Sequence, residues 1–287
     1  MRNNPIGVFD SGVGGLTVIK TMAEQLPGEN FIYFGDTAHL PYGSKSPQQL
    51  MSYAKYIVEY LLKYKVKAVV VACGTHSSIT VPQIHGQYDV PILGVVNPAS
   101  RAAIRTTHNG KIGVMATQAS VNSKSYSRKI NELQSQAQVF EVACPRFVPL
   151  VESGQLQGTE VSHIVNEYLQ PLMQEGVDTI VLGCTHYPFL SAVISECAGS
   201  GVTVIDPALE TVTELKDYLQ KQELLNDARI APCREFVVSG DDSSFYNVGR
   251  LLVGDMITIV GQVEMECQEK QDTIMDEMDI NNSGGIK

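Results

Sequence analysis

No run of 18 or more apolar residues occurs anywhere in the 287-residue chain, so no membrane-spanning helix is expected. The opening residues, MRNNPIGVFD, pass into an apolar segment only a few residues long, without the body or cleavage site of a secretion signal. A cytoplasmic location is therefore expected. Positive charge is scarce. Against 31 Asp+Glu stand 21 Lys+Arg, a net −10, which argues against a nucleic-acid backbone or an anionic membrane surface as partner. Half of that deficit lies from Glu264 onward, so residues 263–287 read as a solvated, disordered acidic tail. The six cysteines include no CxxC pair, and reduced thiols are expected. Neither GxGxxG nor GxxxxGK[ST] is present, which leaves nucleotide binding with weak support.

What is present is a regular alternation. Short β-branched runs at Ile6–Phe9, Phe31–Phe34, Ala68–Ala72, Ile92–Val96, Ile112–Ala116, Val139–Val142, Thr179–Leu182, Val202–Ile205 and Glu235–Ser239 read as strands. Several are apolar throughout, as parallel strands covered on both faces require. Amphipathic segments separate them. The clearest has Ser46 as N-cap and Pro47 at the first helical position, with Leu50, Ala54, Ile57, Val58 and Leu61 on one face. A second starts at Thr159. Alternating β and α elements predict an α/β fold with parallel sheets.

The sequence also echoes itself. PIGVFDSGVGG at 5–15 returns as KIGVMATQAS at 111–120, and AVVVACGTHSS at 68–78 returns as TIVLGCTHYPF at 179–189. Two echoes in the same order predict two related α/β halves facing each other across a cleft built from strand C-terminal ends.

Cys73 and Cys184 fall at matching places, just past a strand, and each is followed by Thr and His within three residues. A lone buried cysteine is most often a small hydrophobe; a matched pair at a ligand-binding edge calls for chemistry. Cys73-x-x-His76 and Cys184-x-His186 offer a zinc-type ligand set, but Cys-x-His is poorly spaced for a structural knuckle. Acid–base chemistry explains more. Two opposed thiols can take a proton from one face of a carbon and return one to the other, inverting a stereocentre without a cofactor. A free thiol has a pKa near 8.5, so each needs a partner. Asp10 and His186 are the candidates. Asp10-Ser11 also opens a glycine-rich turn into a helix, and Thr117 and Ser120 occupy the equivalent place in the second half.

Together these segments resemble the glutamate racemase family: GVFDSGVGGLTV, YFGDTAHLPYG, VVVAC-x-T, IGVMATQASVNSKSY, CPRFVPLVE, LGCTHYPFL and VSGDDSSF, in unbroken order over residues 5–260. The resemblance implies cofactor-independent interconversion of L- and D-glutamate for peptidoglycan, in a homodimer without metal. It implies two domains, 1–97 plus 207–262 and 98–206. It places the catalytic thiols on Cys73, for the D-isomer, and Cys184, for the L-isomer. Asp10, His186 and Glu152 become assisting groups. Substrate contacts fall on Asp10, Ser11, Pro41, Tyr42, Gly43, Gly74, Thr75, Thr117, Ser120, Thr185 and His186. Nothing resembles a lysine site for pyridoxal phosphate.

Two positions depart from the family pattern, which has Asn and a small residue where this chain has Gly74 and His76. The loss of the amide is expected to weaken substrate binding and to free the Cys73 loop. Restoring it by Gly74→Asn is expected to raise kcat/KM roughly ten-fold, with His76 a possible substitute donor. The rivals are a racemase of another amino acid such as aspartate, a non-catalytic amino-acid-binding or regulatory protein of the same fold, and a zinc hydrolase.

Overall fold

The computed structural model of the chain describes residues 1–42, 45–226 and 231–265. Its strands are β1 (Ile6–Asp10), β2 (Phe31–Gly35), β3 (Ala68–Val71), β4 (Ile92–Gly94), β5 (Lys111–Ala116), β6 (Gln138–Ala143), β7 (Thr179–Leu182), β8 (Thr203–Ile205), β9 (Arg234–Val238) and β10 (Val260–Gln262). They form two parallel sheets, ordered β10-β9-β2-β1-β3-β4 and β6-β5-β7-β8. Every residue of β1, β2, β3 and β7 is buried, because helices cover both faces of each sheet.

The repeat seen in the sequence is a repeat of topology. In each sheet the first strand of the half lies between the second and the third, with the fourth beyond. The register matches too: Ile6 faces Phe31 and Ala68, and Ile112 faces Val139 and Thr179. The shared Ile-Gly-Val has a packing cause. A Cβ on Gly7 would come 3.1 Å from Leu61, and one on Gly113 would come 3.0 Å from Leu172. Those leucines end the equivalent helices Pro47–Leu62 and Thr159–Gln174, so the glycine lets each helix settle onto its sheet.

Helix Pro47–Leu62 begins with a full capping box. Ser46 Oγ accepts from the Gln49 N–H at 3.2 Å, and Gln49 Oε1 accepts from the Ser46 N–H at 3.0 Å. Ser46→Ala should lower stability by about 1 kcal/mol, read as a reduced urea midpoint with an unchanged slope.

The second sheet is drawn from residues 111–205, the first from 6–94 and 234–262. The divide expected at 97/98 falls inside helix Val96–Thr106, whose Val96, Ala99, Ala102 and Ala103 pack with the second sheet. The chain returns through helix Pro207–Lys221, capped by Asp206. These two crossing helices lie side by side, and Arg101 forks onto Glu214 (2.7 and 2.5 Å) while Arg105 reaches Glu210 (2.9 Å).

One strand was not expected, and one expected boundary does not match. β10 gives no sequence signal, being three residues long and largely exposed. The first residues of the segment expected as a tail are bound: the Val263 N–H donates to Val238 C=O at 2.8 Å, and Val263 and Met265 pack on the core. The rest of that segment, 266–287, lies outside the described residues.

Candidate active site

The candidate residues gather at the C-terminal ends of β1, β2 and β3 in one half and β5, β6 and β7 in the other. Asp10 is the last residue of β1 and is fully buried. Its Oδ2 accepts from the N–H groups of Gly15 (2.8 Å) and Gly12 (3.3 Å), whereas Oδ1 is buried with no hydrogen-bond partner among the described residues. Burial raises the Asp10 pKa, opposed by the charge of His186 and by backbone N–H groups. The turn needs its glycines. A Cβ on Gly15 would lie 2.6 Å from both Asp10 and the Tyr33 hydroxyl, and one on Gly14 would lie 2.4 Å from His186 Nδ1. Gly14 is therefore one place where the first half touches the second.

Cys73 sits two residues beyond β3, at the N-cap of the short helix Gly74–Ile79, and is 4% exposed. Burial pushes its thiol well above the ordinary range, and the carboxylate of Asp10 adds to this; the N–H groups of His76 and Thr75 pull the other way. Cys73 therefore holds its proton at neutral pH.

Cys184, two residues beyond β7, has a different setting. Its Sγ lies 3.8 Å from His186 Nδ1, and His186 Nε2 lies 3.2 Å from Glu152 Oε1. Burial by itself lowers the imidazole pKa, but hydrogen bonds to Cys184 and Glu152 and the charges of Cys184 and Asp10 outweigh it, raising His186 to about 10. At neutral pH the imidazole is charged and stands against the Cys184 sulfur. The two thiols thus have unlike surroundings, a carboxylate by Cys73 and an imidazolium by Cys184. Glu152→Gln would remove one support of the imidazolium and lower its pKa, so the alkaline limb of the pH–rate profile should move to lower pH while the acidic limb stays.

The remaining expected contacts sort less evenly. Thr75 and Thr185 are buried at the seam, where the Thr17 hydroxyl donates to Thr185 C=O at 3.1 Å. Tyr42 is buried and donates to Asp36 Oδ2 at 2.5 Å, in a network that includes His39 and Ser239. Ser11 is half-buried and Pro41 exposed. Thr117 and Ser120 are engaged with each other, the Thr117 hydroxyl donating to Ser120 Oγ at 3.1 Å and capping its helix. Gly43 lies outside the described residues. A cavity of about 200 Å³ opens outside the thiols, lined by Gly12, Val13, Thr37, Leu40, Glu152 and Phe245 among others.

His76 does not face the substrate side. It is fully buried, with its ring edge-to-face against Phe9 (5.4 Å) and Tyr42 (4.7 Å) and Nδ1 3.1 Å from Thr80 Oγ1. Burial lowers its pKa to about 4, so it is a neutral ring packed between two aromatic side chains, with Nε2 lacking a hydrogen-bond partner among the described residues. The same placement removes it from any ligand set with Cys73, and no cluster of three or more metal-type ligands occurs among the described residues. Gly74 also departs from expectation. It does not loosen the Cys73 loop, because a Cβ there would stand 2.7 Å from the Gly183 carbonyl oxygen. Gly74→Asn is accordingly not expected to be a simple gain.

Sequence reasoning passed over Tyr33. It is fully buried in β2, and its hydroxyl donates to Gly12 C=O at 2.5 Å. Burial, with the charges of Asp10 and Cys73, raises its pKa. A tyrosine in the otherwise apolar run FIYFG was the available signal.

Comparison with known proteins points in one direction. The sequence profile described as Asp/Glu/hydantoin racemase matches residues 6–215. The chain is 43% identical over 266 residues to the glutamate racemase of Thermoanaerobacter pseudethanolicus, covering 93% of this chain and 99% of that one. It is 40% identical to that of Corynebacterium kroppenstedtii, covering 92% and 98%. Among solved structures, a Bacillus anthracis glutamate racemase superposes with TM-score 0.86 at 36% identity, covering 93% and 98%. The Francisella tularensis enzyme in complex with D-glutamate superposes with TM-score 0.85 at 32% identity, covering 93% and 99%. No helix among the described residues is long and apolar enough to cross a membrane.

Proposed function

The chain belongs to the Asp/Glu/hydantoin racemase family, as an isomerase of the glutamate racemase kind, and from that premise we propose that Cys73 and Cys184 carry the two proton transfers at the α-carbon of glutamate. The observation that supports this most is the unequal setting of the thiols. Cys73 is held protonated by burial beside a carboxylate, and Cys184 stands beside an imidazolium. In the L- to D-direction Cys184 accepts the α-proton and Cys73 donates one to the opposite face. Afterwards the sulfurs have exchanged roles and the reverse reaction is set up.

The supporting groups follow from chemistry. The unpartnered Oδ1 of Asp10 suits the α-ammonium, and the charge of that ammonium would lower the cost of a buried carboxylate. Thr75 and Thr185, one beside each thiol, supply hydroxyls for the carboxylates. Glu152 holds the His186 imidazole by Nε2, fixing which nitrogen faces Cys184. Neither metal nor organic cofactor has a step to perform here, so activity should survive chelators and hydroxylamine and stop on thiol alkylation. The same reading makes the protein a cytoplasmic supplier of D-glutamate for peptidoglycan, acting as a homodimer.

The test is the circular dichroism of L-glutamate incubated with pure protein, run in parallel with L-aspartate. Decay of the glutamate signal to zero with aspartate untouched is the expected result. Decay of aspartate alone would transfer the same mechanism to the shorter substrate, and decay of neither would favour the binding-protein rival.

A further inference from the structure

We propose that residue 74 sets the spacing of the two thiols, through a line of contacts across the seam that leaves no room for a side chain. The inference rests on the two-thiol reading above. At the centre of the line, a Cβ on Gly74 would lie 2.7 Å from Gly183 O and 3.8 Å from Cys184 Cα. Real Cβ atoms do not approach a carbonyl oxygen that closely, so the backbones of the two thiol loops meet only because residue 74 is glycine.

Neither loop can draw back. Behind Gly183, a Cβ would come 2.9 Å from Ala116 Cβ and 3.1 Å from Tyr126, and the Gly183 N–H is already tied to Met115 C=O at 2.7 Å. Behind Gly74, Ser77 clamps its helix. The Ser77 hydroxyl donates to Val71 C=O at 2.9 Å and accepts from the Val95 N–H at 3.0 Å. His76 fills the space between Phe9 and Tyr42, and Tyr42 is itself tethered to Asp36. The imidazole thus acts as a wedge that keeps the Cys73 helix pressed toward Cys184. Gly74 and His76 are one device: bulk behind the helix, and none in front.

A side chain at 74 must part the loops by several tenths of an ångström. Misplacement of that order moves reacting atoms out of line without removing any substrate contact. Gly74→Ala should therefore lower kcat roughly ten-fold and change KM much less. In the His76→Ala background the helix has room to yield, so the same substitution should cost two- to three-fold at most. Gly74→Asn should behave likewise, poor alone and improved by His76→Ala.

The experiment is a double-mutant cycle on kcat and KM for glutamate with the full chain, thermal midpoints confirming that each variant folds. A strongly non-multiplicative cycle with rescue in the double variant is expected. Parent-like kcat in Gly74→Ala, or costs that simply multiply, would overturn the inference. Should Gly74→Ala fail to fold, a folded and active double variant still supports the wedge, and an unfolded one refutes it. Cys73→Ala and Cys184→Ala belong in the same series. Racemisation near the parent rate by either sinks the two-thiol reading, whereas severely impaired cysteine variants beside a fully active Gly74→Ala sink only the spacing.

Discussion

Cys73→Ala and Cys184→Ala should each reduce racemisation by about 10²- to 10⁴-fold, the range for loss of a general acid or base, while leaving the fold intact. Each turnover needs one sulfur to accept and the other to donate, so neither variant has a fast direction. The variants should nonetheless differ in a partial reaction. In ²H₂O the surviving thiol can still remove and return the α-proton on its own face. Cys73→Ala should exchange the α-hydrogen of L-glutamate without inverting it, and Cys184→Ala that of D-glutamate. The measurement is NMR loss of the α-proton signal alongside circular dichroism. Exchange of the same isomer by both variants would contradict the assignment of faces. A metal site would instead predict a large fall in thermal stability in both.

The largest effect on stability should come from a residue remote from the thiols. Lys67, just before β3, is buried with Glu29, their side chains 1% and 3% exposed and Nζ 2.5 Å from Oε2. Lys67 Nζ also donates to Arg2 C=O (2.6 Å) and Leu224 C=O (2.9 Å), and Glu29 Oε1 accepts from the Asn226 N–H (2.8 Å). Burial lowers the Lys67 pKa, against the pull of Glu29. The pair fastens the chain's first residues and the segment after helix Pro207–Lys221 to the edge of the core. Lys67→Met would strand the Glu29 carboxylate without its cation, at a cost of about 3–5 kcal/mol, or a fall in Tm on the order of 10 °C. Adding Glu29→Leu should recover much of the loss, because an apolar pair of similar volume avoids burying a charge. Failure of the second substitution to help would show that the backbone contacts matter more than the charges.

The central strands β1, β2, β3, β5 and β7 were legible because nearly all their side chains are buried, and burial on both faces leaves an unbroken apolar signature. The helix from Pro47 was legible because its start is chemical: a serine, a proline and a glutamine in capping order. Cys73, Cys184, Asp10 and His186 could be read because functional groups at strand ends stand out against apolar runs. What stayed hidden depends on distant parts of the chain. β10 exists only because β9 offers it an edge. Tyr33 and Thr17 matter through the glycine turn and the seam, which neither residue's neighbours reveal. His76 beside Cys73 looked like part of the site, yet helical geometry turns it the other way, and Gly74 looked like a deletion until Gly183 was seen against it.

The two crossing helices make the halves resemble two covers bound along one spine. Helix Val96–Thr106 follows β4 and helix Pro207–Lys221 follows β8, so the chain passes from one cover to the other only twice. The Arg101 and Arg105 clasps tie those two passages to each other, so the binding is stitched to itself as well as to the covers.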